Sequence, residues 1–286
     1  MKFLARIFCV LIFTSVLFSG CRKSPDVAVK DSAAPDGFNH QTFSNLLAKH
    51  VTDDGMVDYA GLKNDREKLD GYLNSLTAAK VNAMPNDAEK LAFWINGYNA
   101  FVLASVLDEV KGNVKSVHDI DKLFFKEKKH QIAGEELTLD EIEKRGRDLG
   151  DPRIHFAVNC ASASCPKLRR SAYDAASLDR SLSKAAVDFL GDQGRGMQFD
   201  LTKNEISLSP IFKWYAGDFT KSDATIARAK AELSGAEVFE VAKQYLPADV
   251  RQDLNERKPT LKWMEYDWTL NSMENFKAPG APKRNQ

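Results

Sequence analysis

The stretch from Leu91 to Leu107 is apolar on nearly every side of a helix, and this constrains the fold more than any other segment. A helix that is hydrophobic all round has to be buried all round. Pro85-Asn86-Asp87 marks its start, because Asn86 or Asp87 can accept from the exposed amides of the first turn. The polar exceptions are Asn96 and Asn99, three residues apart and therefore on one helix face. A buried amide without a partner costs about 1–3 kcal/mol. The two asparagines therefore either brace neighbouring backbone or belong to a site.

Shorter elements surround this helix. Val57-Asp58-Tyr59 precedes a helix over Asp65–Leu76, and Thr138-Leu139-Asp140-Glu141 is a capping box opening a helix to about Leu149. The spacing predicts one hairpin within Leu123–Leu137, turning at Gly134, and a second from Met197–Leu201 and Glu205–Leu208 across Thr202-Lys203-Asn204. Leu261–Leu270 reads as a late strand. So does Arg153–Asn159, whose alternation sets Ile154, Phe156 and Val158 on one face and His155, Ala157 and Asn159 on the other. Helices separated from short hairpins predict an α+β class: a mostly helical domain with a buried central helix packed on a small, mainly antiparallel sheet.

The N-terminus predicts export. Lys2 and Arg6 lead into an apolar run, Ile7 to Phe18, too short to cross a bilayer as a mature helix but suited to a secretory signal. Leu17-Phe18-Ser19-Gly20-Cys21 resembles a bacterial lipobox, with Phe18 where leucine is usual. That resemblance implies a signal peptide over residues 1–20 and lipidation of Cys21, a diacylglycerol thioether with a palmitate-type acyl chain on its amine. Arg22, where inner-membrane retention signals place aspartate, points to a periplasm-facing position on the outer membrane. Residues 21–37 are a polar tether, residues 38–271 one domain with a motif core at about 85–220, and residues 272–286 a flexible tail. The membrane is thus an expected partner through the lipid. With 40 basic and 40 acidic residues, the chain gives no electrostatic case for nucleic acid.

The chemistry concentrates in Arg153 to Arg169, which holds His155, Cys160 and Cys165. Two readings stay open. In one, Cys160 is a nucleophile, His155 the base that raises its thiolate fraction, and Asn96 or Asn99 the group that orients the imidazole or polarises a carbonyl. In the other, Cys160 and Cys165 close a disulfide in an oxidising compartment. Lys167 and Arg169 can favour an anionic ligand, and Asn159 shares the expected face of His155. No metal site is expected, since the cysteine spacing is not Cys-x-x-Cys and the other histidines, His40, His50, His118 and His130, are scattered. With no glycine-rich phosphate loop either, no cofactor is assigned. Phe212, Trp214, Tyr215 and Phe219, at near-helical spacing, read as core with a ligand platform as the alternative, and Trp263, Tyr266 and Trp268 read the same way.

Several segments together resemble a known family. Ala92-Phe-Trp-Ile-Asn-Gly-Tyr-Asn-Ala100, Leu137 to Glu143, Asp151 to Cys160, Ser164-Cys-Pro-Lys-Leu168, Ile211 to Phe219 and Tyr266 to Asn271 are similar to successive motifs of the domain-of-unknown-function family numbered 547. The resemblance marks Asn96, Tyr98, Asn99, His155 and Cys160 as site positions. The family includes plant proteins in which a similar domain follows coiled-coil segments, which suits a binding or assembly module with an envelope protein or peptide as ligand. The alternative is a cysteine-dependent hydrolase or acyltransferase acting on peptide or cell-envelope amides or esters. A helix against a histidine-bearing strand also resembles the papain-like core, but the nucleophile there begins the helix, where Phe93 to Tyr98 offer no cysteine.

Overall fold

The computed structural model describes residues 37–109, 115–117, 123–220 and 235–277. The expected signal peptide, the lipidation site Cys21, most of the tether, His118 and the end of the tail lie outside the described residues. Among the described residues, no helix is long and apolar enough to cross a membrane.

The central helix runs Asp87–Glu109, and every residue from Leu91 to Val106 is buried. Asn86 caps it, its Oδ1 accepting from the Glu89 amide at 2.9 Å. Helices Arg66–Thr77 and Leu139–Arg147 are its main neighbours. The second opens on the expected capping box, with Thr138 and Glu141 each accepting from the other's amide. It comes close because Gly146 has no side chain: a Cβ there would lie 2.5 Å from Ile154 Cδ1 and 3.3 Å from Trp94 Cβ. The antiparallel hairpin His130–Ile132/Glu135–Leu137 reaches the central helix in the same way, since a Cβ on Gly97 would meet Ile132 Cδ1 at 2.8 Å. Residues Leu123–Lys126, expected in this hairpin, instead form a helical turn.

A second apolar cluster is built on Phe156, Phe189, Phe212 and Phe219. Its sheet pairs Met197–Asp200 antiparallel with Glu205–Leu208, the expected hairpin, and adds Thr260–Trp263 parallel to Glu205–Leu208. The late strand therefore stops at Trp263; Thr269 and Leu270 form only isolated bridges, to Ser116 and Ser162. At the start of the expected tail, Met273–Lys277 is a short helix whose first amide donates to the Val57 carbonyl at 2.9 Å. The whole is α+β, mostly helical, with two small and mainly antiparallel sheets.

The expected strand at Arg153–Asn159 does not form. Pro152–Phe156 is a 3-10 helix, with Asp151 accepting from the Arg153 amide and Pro152 at its first position. Aspartate followed by proline is a helix start, because proline has no N–H to leave unpaired and its φ is already helical. Residues 157–160 form no strand, and a side chain serves their backbone in place of a neighbouring strand: Asn99 Nδ2 donates to the Ala157 carbonyl at 2.9 Å and Asn99 Oδ1 accepts from the Asn159 amide at 2.9 Å.

Candidate functional site

Where the two apolar clusters meet, the 3-10 turn divides its side chains between them. Ile154 enters the first and Phe156 the second, and His155, 2% exposed, faces a cleft of about 190 Å³. Among the described residues the central helix supplies Tyr98 to this cleft, the helix Leu139–Arg147 supplies Asp140 and Glu143, and the following loop supplies Cys160 and Cys165. Trp214, Tyr215, Tyr266 and Trp268 complete the wall.

His155 is held on three sides. Its ring stacks on Tyr215 with centroids 3.9 Å apart and lies 5.3 Å from Phe219. Its Nε2 is 3.0 Å from Asp218 Oδ2, which also accepts from Arg147 Nε at 2.5 Å. A carboxylate paired with arginine accepts rather than donates, so the bond assigns a proton to Nε2. Arg147 lies over the Tyr215 ring, 4.9 Å from its centroid. Beside this stack, burial raises the Glu143 carboxyl to about 7, against the opposing pull of Arg147 and Tyr215. Glu143 Oε1 is buried with no hydrogen-bond partner. Burial likewise pushes the Tyr98 and Tyr215 hydroxyls up, so both stay protonated donors at neutral pH.

The thiols occupy the loop after the turn. Both are free, with Sγ atoms 2.6 Å apart, so the disulfide expected from export is not formed here. Cys165 Sγ accepts from the Cys160 amide at 3.1 Å, with Tyr266 Oη at 3.2 Å and Ser162 Oγ at 3.3 Å. Burial opposes ionisation of Cys165, but the hydrogen bonds from Cys160, Ser162 and Tyr266 outweigh it and bring its pKa down to about 6. The bond to Cys165, together with burial, pushes the Cys160 thiol up. The surroundings thus favour ionisation of Cys165 over Cys160, whereas the sequence favoured Cys160 and held Cys165 as the second nucleophile candidate.

Five of the expected site residues stand elsewhere. Asn96 Nδ2 donates to the Tyr173 carbonyl at 2.7 Å and its Oδ1 accepts from the Tyr173 amide at 2.9 Å, so it clamps backbone as Asn99 does, and neither lines the cleft. Asn159 does not share the direction of His155: its amide turns into the loop, donating to the Pro166 carbonyl at 2.8 Å and accepting from Ala161 N at 2.8 Å. Lys167 and Arg169 line a separate groove of about 440 Å³ with Arg180 and Lys184. There Lys167 Nζ is 3.7 Å from Asp54 and 3.8 Å from Asp192, and Arg169 lies 4.5 Å from the centre of the Tyr173 ring. Tyr98, His155 and Cys160 do meet in the cleft, joined by Glu143, Tyr215 and Cys165, while Asp218 reaches it only through its contact with His155. No cluster of three or more His, Cys, Asp or Glu that could hold a metal is present among the described residues.

Residues 81–190 match the model of the family described as "Protein of unknown function, DUF547". The DUF547 segment contains one side of the cleft, Tyr98, Glu143, His155 and both thiols. The opposite wall, Trp214, Tyr215, Tyr266 and Trp268, lies beyond it. No curated protein and no solved structure matches the chain.

Proposed function

We propose that this chain is an outer-membrane lipoprotein, anchored through an acylated Cys21, whose domain binds a peptide segment of an envelope partner in the cleft. The observation that carries the reading is Trp214. This indole is 49% exposed at the cleft mouth, stacked on Trp268 at 5.8 Å and tilted against Tyr266 at 4.9 Å. Large exposed aromatics beside a polar floor are the usual anchors of recognition surfaces, because they bury much area for little lost rotamer freedom. The polar floor here is His155, Glu143 and the thiol pair, which suits a ligand with backbone or side-chain polar groups.

The test is titration of the domain with a panel of short envelope-derived peptides, followed by tryptophan fluorescence. Trp214→Ala removes an anchor worth about 2 kcal/mol, roughly a thirtyfold loss of affinity, whereas Val187→Ala, also exposed but remote from the cleft lining, leaves binding unchanged. A panel with no saturable, Trp214-dependent signal removes the reading.

One observation favours a second reading, a thiol hydrolase or acyltransferase: Asp218 orients His155 in the same cleft as a thiolate. In that case Cys165 is the nucleophile and Asp218, rather than either asparagine, is the orienting group. Turnover of a chromogenic thioester that is lost in His155→Ala and Cys165→Ser supports it; equal turnover in the variants excludes it.

A further inference from the structure

We propose that Cys160 and Cys165 act as a dithiol that exchanges electrons with the disulfide of a molecule entering the cleft, cycling between two thiols and an internal disulfide. The inference goes beyond peptide binding and stands on the geometry of the pair. Its sulfurs touch at 2.6 Å across a loop of only four intervening residues. That loop is held from several directions: Asn271 N donates to the Ala161 carbonyl at 2.8 Å, Asp267 N to Ser164 Oγ at 2.8 Å, and Arg195 Nε to the Ala163 carbonyl at 3.0 Å. A second thiol in contact adds nothing to an acyl-transfer nucleophile, whereas a mixed disulfide formed on one sulfur is resolved by the other. In dithiol exchange the same contact is the requirement.

The two sulfurs also differ as such a reaction needs. Cys160 is half-buried and opens on the cleft, whereas Cys165 is 4% exposed and sits among the donors that hold it as thiolate. The Cys160 thiol passes its proton to Cys165 across their contact, and the Cys160 thiolate attacks one sulfur of the incoming disulfide. A Cys160 mixed disulfide forms and the first substrate sulfur leaves as a thiolate. Cys165 then gives up its proton and attacks Cys160 Sγ, closing the internal disulfide and expelling the second substrate sulfur. Two electrons pass from the dithiol to the substrate; the one proton held by the pair goes to one substrate sulfur, and the other leaves as a thiolate. Glu143, in the same cleft with one oxygen unpartnered, is placed to relay the proton of Cys165. A dithiol reductant resets the pair by the reverse path.

The experiment treats the reduced full-length chain with the aromatic disulfide 5,5′-dithiobis(2-nitrobenzoate), quenches with iodoacetamide and maps the peptide that spans Cys160 and Cys165. An internal disulfide with no retained thionitrobenzoate is expected. Cys165→Ser is expected to retain one thionitrobenzoate on Cys160, with a lifetime at least tenfold longer than any adduct of the unsubstituted chain. Two thionitrobenzoate groups on that peptide, or reaction only after denaturation, overturn the proposal, and the unsubstituted arm decides this even if the variant misfolds. Peptide binding, read from Trp214, survives either outcome.

Discussion

Replacing Asn99 with alanine separates bracing from catalysis. Its amide supplies partners to the segment after the 3-10 turn, the Ala157 carbonyl and the Asn159 amide, and all three residues are buried. Asn99→Ala leaves one carbonyl and one N–H without partners, each costing about 1–3 kcal/mol, so the expected destabilisation is roughly 4 kcal/mol. For a domain of this size, about 2–4 °C per kcal/mol makes that a fall of roughly 10 °C in Tm. Urea denaturation of the full chain measures the free energy and calorimetry the midpoint, with the exposed Gln131→Ala, expected within about 0.5 kcal/mol of the parent, as the control. A loss below about 1 kcal/mol refutes the bracing argument. If Asn99→Ala instead kept its stability and altered thiol labelling, the amide would belong to the cleft.

Two further outcomes follow from the titrating groups. Glu143 has its carboxyl raised from 4.5 to about 7 by burial. Folding therefore favours its protonated form, and its contribution is fully present below pH 4.5 and lost as pH rises through about 7. At about 1.4 kcal/mol per pH unit this is roughly 3 kcal/mol, so Glu143→Gln gains stability on the parent across that window in denaturation curves; parallel pH profiles sink the assignment. Cys165 behaves in the opposite sense, its thiolate forming above about 6. Tyr266→Phe deletes one donor to that sulfur and raises the midpoint of thiol labelling against pH by about one unit, as a hydrogen bond to a charged group of about 1.5 kcal/mol requires; an unmoved midpoint shows that Tyr266 does not support the thiolate.

What the sequence made legible was local. The central helix, the Asn86 cap, the Thr138 capping box and the Met197–Leu208 hairpin follow from residues near one another in the chain, and the structure has all of them. Alternation at His155 coincides with a helix start at Asp151-Pro152: Ile154 and Phe156 are both buried, but in different clusters, on one 3-10 turn. Of the aromatics that could be core or a ligand platform, Phe212 and Phe219 are core, whereas Trp214 and Tyr215 face the cleft. Glu143 and Asp218 did leave a signal. Leu139, Ile142, Glu143 and Gly146 form the buried stripe of one helix, and Asp218 lies beside Phe219 on the inward side of another. A carboxylate on an apolar stripe is either paired or shifted in pKa, and here Asp218 has Arg147 and His155 while Glu143 is raised. Their convergence joins residues 63 and more positions apart, which no local pattern encodes.

The thiol loop shows why this region is a better candidate for chemistry than for packing. Ala161 adopts φ +67°, a left-handed conformation that costs a residue with a side chain about 1 kcal/mol or more. Asn159 Oδ1 holds it there through the Ala161 amide, and Asn271 anchors both, its N–H on the Ala161 carbonyl and its Nδ2 on Asn159 Oδ1. A pair of cysteines that merely filled space would need neither the strain nor hydroxyl groups aimed at sulfur, since a neutral thiol is a weak acceptor. The bend at Ala161 carries the chain round so that Cys165 returns to the Cys160 amide, and Ser162 and Tyr266 then add two hydroxyls to the same sulfur. Donors converge in this way on an atom that carries charge, and the strained turn is what brings them together.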